Sequence, residues 1–360
     1  MPRATKPIRV IQWATGSVGK LVIATCASNE AFQLVGCWVH SEAKDGRDAG
    51  EIAGVGALGV AATRDVDALL ATPADVVCYA PLLADVGEIC RILEAGLDVV
   101  TPTGFTTIRD PDAAARIEAA CRKGGASFHG SGIHPGFSGD RLPLVLSAMS
   151  RRIDRIVVHE IVDMSHVNES PELVRMLGFD MTPEEARRSP PALLGVMGTI
   201  FFESIALVAE GLGLEIDRYE KRHEFALAKR DVEIELELGA RKGTIRAGHV
   251  AGQAFDYVGF VGDVPAIEFR TRWKMGRDLE PDWPFDHPWA YRIQIDGDPP
   301  LRLEFTCGAE DGSDSAALGL LCTAMNCLNT MPHLVAASPG VKTQLDLPLI
   351  RAVNAFHPLR

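Results

Sequence analysis

The run Ile8-Arg9-Val10-Ile11-Gln12-Trp13-Ala14-Thr15-Gly16-Ser17-Val18-Gly19-Lys20 constrains this chain more than any other stretch. Ile8, Val10 and Ile11 form a short β-branched run that stops at a turn of small residues. Val18, Leu21, Val22, Ala24 and Thr25 then follow with helical spacing. Strand, glycine turn and helix in this order aim the backbone N–H groups of a helix N-terminus at a phosphate. Against the fingerprint G-x-G-x-x-G the chain supplies Ala14, Gly16 and Gly19, with alanine in place of the first glycine. An ordinary βα turn would use the same residues. Their place in the opening βα unit favours a nucleotide site built from Thr15, Gly16, Ser17, Val18 and Gly19.

The next segments repeat the theme. Phe32–Val39 reads as a second strand, and the residues at its end decide which dinucleotide fits. An acidic residue there accepts from ribose hydroxyls and repels a 2′-phosphate. Here the strand ends in His40-Ser41, with Lys44 and Arg47 close behind, which favours NADP. Glu42 leaves NAD open, and Lys44 and Arg47 also suit a solvated loop. Ala74–Pro81 is a buried-strand run, Asp85–Gly96 has helical spacing with a glycine stop, and Asp98–Thr101 is a further strand. Asp110-Pro111 caps a helix that runs through Cys121 to Gly124-Gly125, before the strand Ala126–Gly130. Continuous apolar strands alternating with helices predict a Rossmann-type doubly wound parallel sheet. Ligands in such sheets lie at the strand C-termini. That gathers Ala14–Gly19, His40-Ser41, Ala80-Pro81, Thr101–Gly104 and Gly130–Phe137 around one crevice.

The second half changes period. Arg155–Asp163 reads as a strand, Thr182-Pro183-Glu184-Glu185 as a capping box, and Ser189-Pro190-Pro191 as a break before a helix over Leu193–Leu212. Alternation then takes over in Val232–Leu238, Phe269–Met275, Tyr291–Asp296 and Leu301–Phe305, with a turn at Asp296–Pro300. These are antiparallel strands with one wet face. Ser315–Asn329 is helical. The fold class is therefore α/β: an N-terminal Rossmann-type domain over 1–150, joined by a tail of about 330–360, and a C-terminal α+β domain over 151–329. The second domain carries a mostly antiparallel open sheet, serves substrate binding and oligomerisation, and is expected to pair with a second copy as a homodimer.

Composition narrows the partners. A net charge of −12 over 360 residues argues against nucleic acid and anionic membranes. Eight scattered cysteines without a C-x-x-C pair suit buried thiols in a reducing cytoplasm, and Met1–Pro7 is too polar for a signal peptide. His and Cys spacings show no metal cluster, and no nucleophile elbow is present. Two stretches remain as candidates for chemistry. His134, in Gly130-Ser131-Gly132-Ile133-His134-Pro135-Gly136-Phe137, projects from a glycine-rich turn. It suits a hydrogen-bond donor to a carbonyl oxygen, and equally a ring that bonds the turn itself. Thr103, in Val99–Gly104, suits a bond to a nicotinamide or substrate, and equally a polar strand end.

Thr15–Gly19, His40-Ser41 with Gly46–Gly50, Gly132–Phe137, Trp283-Pro284, Met331-Pro332 and Pro339-Gly340 resemble the dihydrodipicolinate-reductase-like group. The likeness within it is to 2,4-diaminopentanoate dehydrogenases and native NAD(P)H-dependent amine dehydrogenases. It spans nearly the whole chain, and implies a dimer that moves hydride between NAD(P)H and an imine or carbonyl. It places cofactor contacts at Ala80, Pro81, Thr103 and Gly132, and substrate contacts at Phe137, Met164 and His166, near Asp163 and Ser165. Two departures stand out. Family amine dehydrogenases carry a glutamate where this chain has Thr103-Gly104-Phe105, and an asparagine where it has His134. The paired histidines and lysine of dihydrodipicolinate reductase are absent. The resulting expectation is an NADP-dependent oxidoreductase of a small to medium, mostly apolar carbonyl, alcohol, imine or amine. A true amine dehydrogenase with another acid/base, and an NADP-binding sensor without turnover, are the alternatives.

Overall fold

A computed structural model describes residues 6–166, 171–188, 192–236, 241–283, 287–308 and 315–356. The chain divides into two compact units, 1–137 with 320–360 and 138–319. The sequence boundaries at 150 and 329 lie 13 and 10 residues later.

In the first unit the strands are β1 (Ile8–Trp13), β2 (Phe32–Trp38), β3 (Ala62–Thr63), β4 (Val76–Tyr79), β5 (Asp98–Thr101) and β6 (Ser127–Gly130). The helices between them are α1 (Ser17–Ser28), α2 (Ala49–Ala53), α3 (Val66–Leu70), α4 (Val86–Glu94) and α5 (Pro111–Gly124). Near the end of the chain, α10 (Ser315–Val335) and β16 (Gly340–Lys342) complete the unit, α10 from Leu320 onward. The seven strands pair in the order β16-β6-β5-β4-β1-β2-β3, all parallel. Strand order reverses at β1, where β4 lies on one side and β2 on the other.

Alternate residues of each strand feed two cores. Val10, Cys78 and Val100 face α1 and the last turns of α10, where Ala324, Cys327, Leu328, Met331 and Leu334 are buried. Ile11, Val77, Val99 and Phe128 face α4 and α5, packing on Ile89, Ile92 and Ile117. Burial on both faces is why these strands read as unbroken apolar runs. Asp110 caps α5, with Pro111 at its first position and Gly125 closing it at φ 67. α10 runs past the expected end at Asn329 and through Pro332. Met331 and Leu334 are fully buried beyond that point, so core packing outweighs the lost backbone bond.

The second unit contains α6 (Arg141–Ser147), β7 (Arg152–Asp163), α7 (Pro171–Met176), α8 (Pro183–Arg188) and α9 (Ala192–Leu212). It continues with β8 (Arg218–Ala228), β9 (Val232–Leu236), β10 (Arg241–Ile245), β11 (Val250–Val261), β12 (Val264–Lys274), β13 (Leu279–Glu280), β14 (Trp289–Asp298) and β15 (Leu301–Thr306). Seven of these strands form one mixed sheet, β13-β8-β11-β12-β7-β14-β15, in which only the β12–β7 pair is parallel. Thr182 and Glu185 form the reciprocal capping box at α8, with Thr182 N donating to Glu185 Oε2 at 2.8 Å and Glu185 N to Thr182 Oγ1 at 3.2 Å. The Ser189–Pro191 break, Glu237, Leu238 and Pro284 lie outside the described residues. The eight cysteines are all described and none is in a disulfide. Among the described residues no helix is long and apolar enough to cross a membrane.

Asp98 at the start of β5 links fold to pH. Burial raises its carboxyl to about 6, against the bond it accepts from Ser127 N at 2.6 Å. An unfolded aspartate titrates near ~3.9. Between those values the folded state holds the extra proton, so stability falls as pH rises through the window and the loss is complete above it. Asp98→Asn keeps an acceptor for Ser127 N and removes the titration. After a discount for partial exposure, it is expected to gain about 1–2 kcal/mol at pH 7.5 and nothing at pH 4. Urea unfolding at the two pH values checks this.

Candidate functional site

The turn after β1 is tight for identifiable reasons. Ala14 takes the left-handed conformation at φ 73, the geometry a fingerprint glycine would supply. The buried Gln12 amide holds the turn's carbonyls, with Nε2 donating to Trp13 O at 3.0 Å and Ala14 O at 2.9 Å. A Cβ on Gly19 would lie 2.2 Å from Ala14 O, so α1 reaches the turn only because that residue is glycine. Gly16 caps α1 in extended conformation with no side-chain bond to the helix. Glycine at this position leaves the first turn without an N-cap side chain, and the helix opens at the sheet's switch point. This cradle fits a dinucleotide pyrophosphate.

Charge of the right sign stands beside it. Lys44 ends a single 3-10 turn (Glu42–Lys44) after β2, and its Nζ lies 3.0 Å from Thr15 Oγ1 and 3.5 Å from Thr15 O. His40 and Ser41 precede that turn and are exposed, as are Glu42 and Arg47. Asp48 organises the following excursion: it caps α2 through Gly50 N and Glu51 N, and accepts from Leu58 N at 2.9 Å and Gly59 N at 2.7 Å. At the end of β4, Ala80 and Pro81 are half-buried. Their loop is pinned by Tyr79, whose hydroxyl donates to Glu88 Oε2 at 2.7 Å and accepts from Asp85 N at 3.0 Å. Burial and the Glu88 carboxylate push the Tyr79 phenol well above its ordinary range.

The neighbouring strand ends carry the candidate catalytic groups. Thr101, buried at the end of β5, accepts from Thr103 N at 3.2 Å, and the two threonine hydroxyls lie 2.6 Å apart. β6 lies alongside, with Thr101 in register with Gly130. A Cβ on Gly130 would fall 2.4 Å from Gly104 O and Phe105 O. The chain then turns through Ser131–Phe137, with Gly132 at φ 128 and Gly136 at φ 111. His134 and Phe137 are half-buried within it. Thr103 and His134 thus follow adjacent strands, on the same sheet edge as Thr15–Gly19.

Three residues that sequence reasoning missed hold this loop. Asn326 Nδ2 donates to Gly132 O at 2.6 Å, Gln344 Nε2 donates to Gly136 O at 2.9 Å, and His129 lies 3.3 Å from the Gln344 amide. No local signal marks them, because their partners are up to 215 residues away in the chain.

In the second unit, Met164, Ser165 and His166 form a 3-10 turn after β7. Ser165 Oγ donates to Asp163 Oδ1 at 2.5 Å and accepts from Gly276 N at 2.8 Å. Met164 is half-buried, and His166 is exposed with Nδ1 3.4 Å from Glu235 Oε2. Glu160, which the sequence reading also passed over, is buried within β7 and accepts from Tyr291 OH at 3.4 Å. Trp273 and Trp289 are core residues. Among the described residues no cluster of His, Cys, Asp or Glu could hold a metal ion.

Comparison with known proteins agrees with this geometry. The 2,4-diaminopentanoate dehydrogenase C-terminal domain matches residues 137–357, and the dihydrodipicolinate reductase N-terminus matches residues 10–127. An amine dehydrogenase of Streptomyces virginiae is 32% identical over 96% of this chain and 98% of its own. The 2,4-diaminopentanoate dehydrogenase of Acetoanaerobium sticklandii is 23% identical over 73% of this chain and 69% of its own. Among solved structures, an amine dehydrogenase from Mycobacterium smegmatis has the same fold, with a TM-score of 0.77 at 21% identity over 97% and 98% of the two chains. The chain belongs to the 2,4-diaminopentanoate dehydrogenase and amine dehydrogenase family of nicotinamide-dependent oxidoreductases.

Proposed function

We propose that this protein is an NADP-dependent oxidoreductase that transfers hydride to or from a mostly apolar carbonyl or alcohol, with imine and amine chemistry as the second reading. The observation that carries the proposal is the shared edge of the parallel sheet, where the glycine turn, Lys44, Thr103 and His134 follow successive strand ends. Bound nicotinamide cofactor supplies the hydride. The chain's own part is to bind, orient and donate.

In this reading, the N–H groups of Ser17, Val18 and Gly19 hold the pyrophosphate, and Lys44 with His40 and Ser41 holds the ribose phosphate. Ala80, Pro81 and Gly132 line the cofactor. The imidazole of His134 donates to the substrate oxygen as negative charge develops there. Thr103 orients the same group or the carboxamide, with its hydroxyl set by Thr101. Phe137, Met164 and His166 are assigned to substrate contact. Thr103-Gly104-Phe105 carries no carboxylate, which favours carbonyl chemistry, because imine formation needs a positioned acid/base. The 32% identity to an amine dehydrogenase favours the second reading.

We also propose a cytoplasmic homodimer. The β7, β12 and β14 residues on one face of the mixed sheet alternate in charge, as in Arg155–Glu268 at 3.3 Å, Arg270–Glu268 at 2.6 Å and Arg155–Asp296 at 3.0 Å. Pairing two copies of one face about a two-fold axis calls for charges of both signs on it, as here. Light scattering is expected to give twice the 38.8 kDa chain mass, and a monomer at micromolar concentration overturns the dimer.

Fluorescence titration with NADPH and NADH, followed by a panel of aliphatic aldehydes and ketones with and without ammonia, tests the main reading. Oxidation of NADPH without ammonia is the expected outcome. Oxidation only with ammonia selects the amine reading, and tight binding without any turnover selects a sensor. His134→Ala is expected to lower kcat by about 10²–10⁴-fold, and a wild-type rate in that variant overturns its assignment. Lys44→Glu removes a charge-assisted contact to phosphate and adds repulsion. NADPH affinity is expected to fall by roughly 10–100-fold while NADH affinity stays within about twofold. Equal losses for both cofactors would refute the NADP assignment.

A further inference from the structure

We propose that Asn326 and Gln344 are positioning residues: their side-chain amides hold the Gly132–Gly136 loop, and with it the His134 imidazole, in the working conformation. This rests on the assignment of His134 above.

The loop turns sharply at two glycines. Gly132 and Gly136 take φ of 128 and 111, and a Cβ on Gly136 would fall 2.5 Å from Ser131 C and 2.6 Å from Gly132 N. Buried carbonyls in such a turn need hydrogen-bond donors. Two elements from the far end of the chain supply donors to Gly132 O and Gly136 O. From α10, the two amide hydrogens of Asn326 go to Gly132 O at 2.6 Å and Gly136 O at 3.2 Å. From the segment after β16, Gln344 Nε2 donates to Gly136 O at 2.9 Å. Gly136 O therefore uses both of its lone pairs.

The orientation of the Gln344 amide is itself determined. β16 sets Lys342 opposite His129 in register. Lys342 O can only accept, so the fully buried His129 ring donates from Nδ1 at 2.8 Å. That leaves Nε2 of the neutral ring as an acceptor, and the Gln344 amide nitrogen lies 3.3 Å from it. One amide nitrogen thus donates both to the histidine ring and to the loop carbonyl. The partners are 190 to 215 residues apart in sequence, so the conformation of the loop depends on docking of the C-terminal tail.

The test replaces donors by isosteres that cannot donate. Asn326→Asp and Gln344→Glu keep size but carry no amide hydrogen and set an anion against carbonyl oxygens. If the amides position His134, kcat with NADPH and the best carbonyl of the panel falls on the order of 10- to 100-fold, a larger factor than the loss of NADPH affinity that follows from the Gly132 contact. Hydrogen exchange of the full-length chain, free of substrate, then rises over residues 131–137 and nowhere else. Wild-type kcat together with wild-type protection of 131–137 in both variants overturns the proposal. Asn326→Ala provides the same two readouts should the charged variants fail to fold. Combined with His134→Ala, Asn326→Asp is expected to cost nothing further, and an additional loss of full size overturns action through His134. A wild-type rate in His134→Ala alone strikes the catalytic assignment instead, and the exchange measurement then judges the clamp without reference to turnover.

Discussion

The first unit depends on one close approach, that of α1 to the end of β1. Gly19 has no Cβ, and one placed there would sit 2.2 Å from the Ala14 carbonyl. With that contact made, α1 buries Val22, Ile23 and Cys26 against the sheet, and its N-terminus opens at the point where strand order reverses. The geometry also explains why the first fingerprint glycine is dispensable. Ala14 accepts a left-handed φ, which costs an alanine about a kcal/mol or two. The Gln12 amide bonds to both carbonyls of the turn and holds that conformation in place. A third glycine has no substitute, because the obstacle at Gly19 is volume.

How far the sequence disclosed the fold follows from burial. β1, β4, β5 and β6 are buried on both faces and stand out as apolar runs bounded by glycine, proline and aspartate. The capping box at Thr182 and the proline at the start of α5 were readable because they are local chemistry. β8 and β11 escaped for opposite reasons. β11 is buried along almost its whole length, at the centre of a mixed sheet, so it shows no alternation. β8 is so rich in charge that its one-sided burial is hidden, with Arg218, Glu220, Lys221 and Arg222 in a single strand. The short α2 and β3 are organised by four backbone bonds to Asp48, a device that leaves no periodic trace.

The site divides along the same line. The placement of Thr15–Gly19, Lys44, Thr103 and His134 after strand ends was legible because each sits within a few residues of a strand, and strand ends can be found from the strands. Asn326, Gln344 and His129 were not, since their partners are brought together only by the pairing of β16 with β6 and the docking of α10. A buried histidine in an apolar strand was the one available signal. At 0% exposure His129 needs partners for both ring nitrogens, and a sequence cannot say which distant residues supply them.

The absence of a carboxylate between Thr101 and Ile108 bears on what this edge of the sheet can do. A carboxylate beside the reacting carbon attracts an ammonium ion and can move its protons, whereas paired hydroxyls such as Thr101 and Thr103 carry no charge and stay protonated at neutral pH. Such a pair supports hydrogen bonding without acid/base turnover. Ketone reduction needs only a hydride and a donor to the developing oxyanion, so one half-buried imidazole beside neutral hydroxyls suffices. Reductive amination must also add ammonia, expel water and shed a proton, and no residue between Thr101 and Ile108 can ionise to assist. The absence of an ionisable group between Thr101 and Ile108 is the ground on which the proposed reading sets oxygen chemistry ahead of nitrogen, against the 32% identity to an amine dehydrogenase.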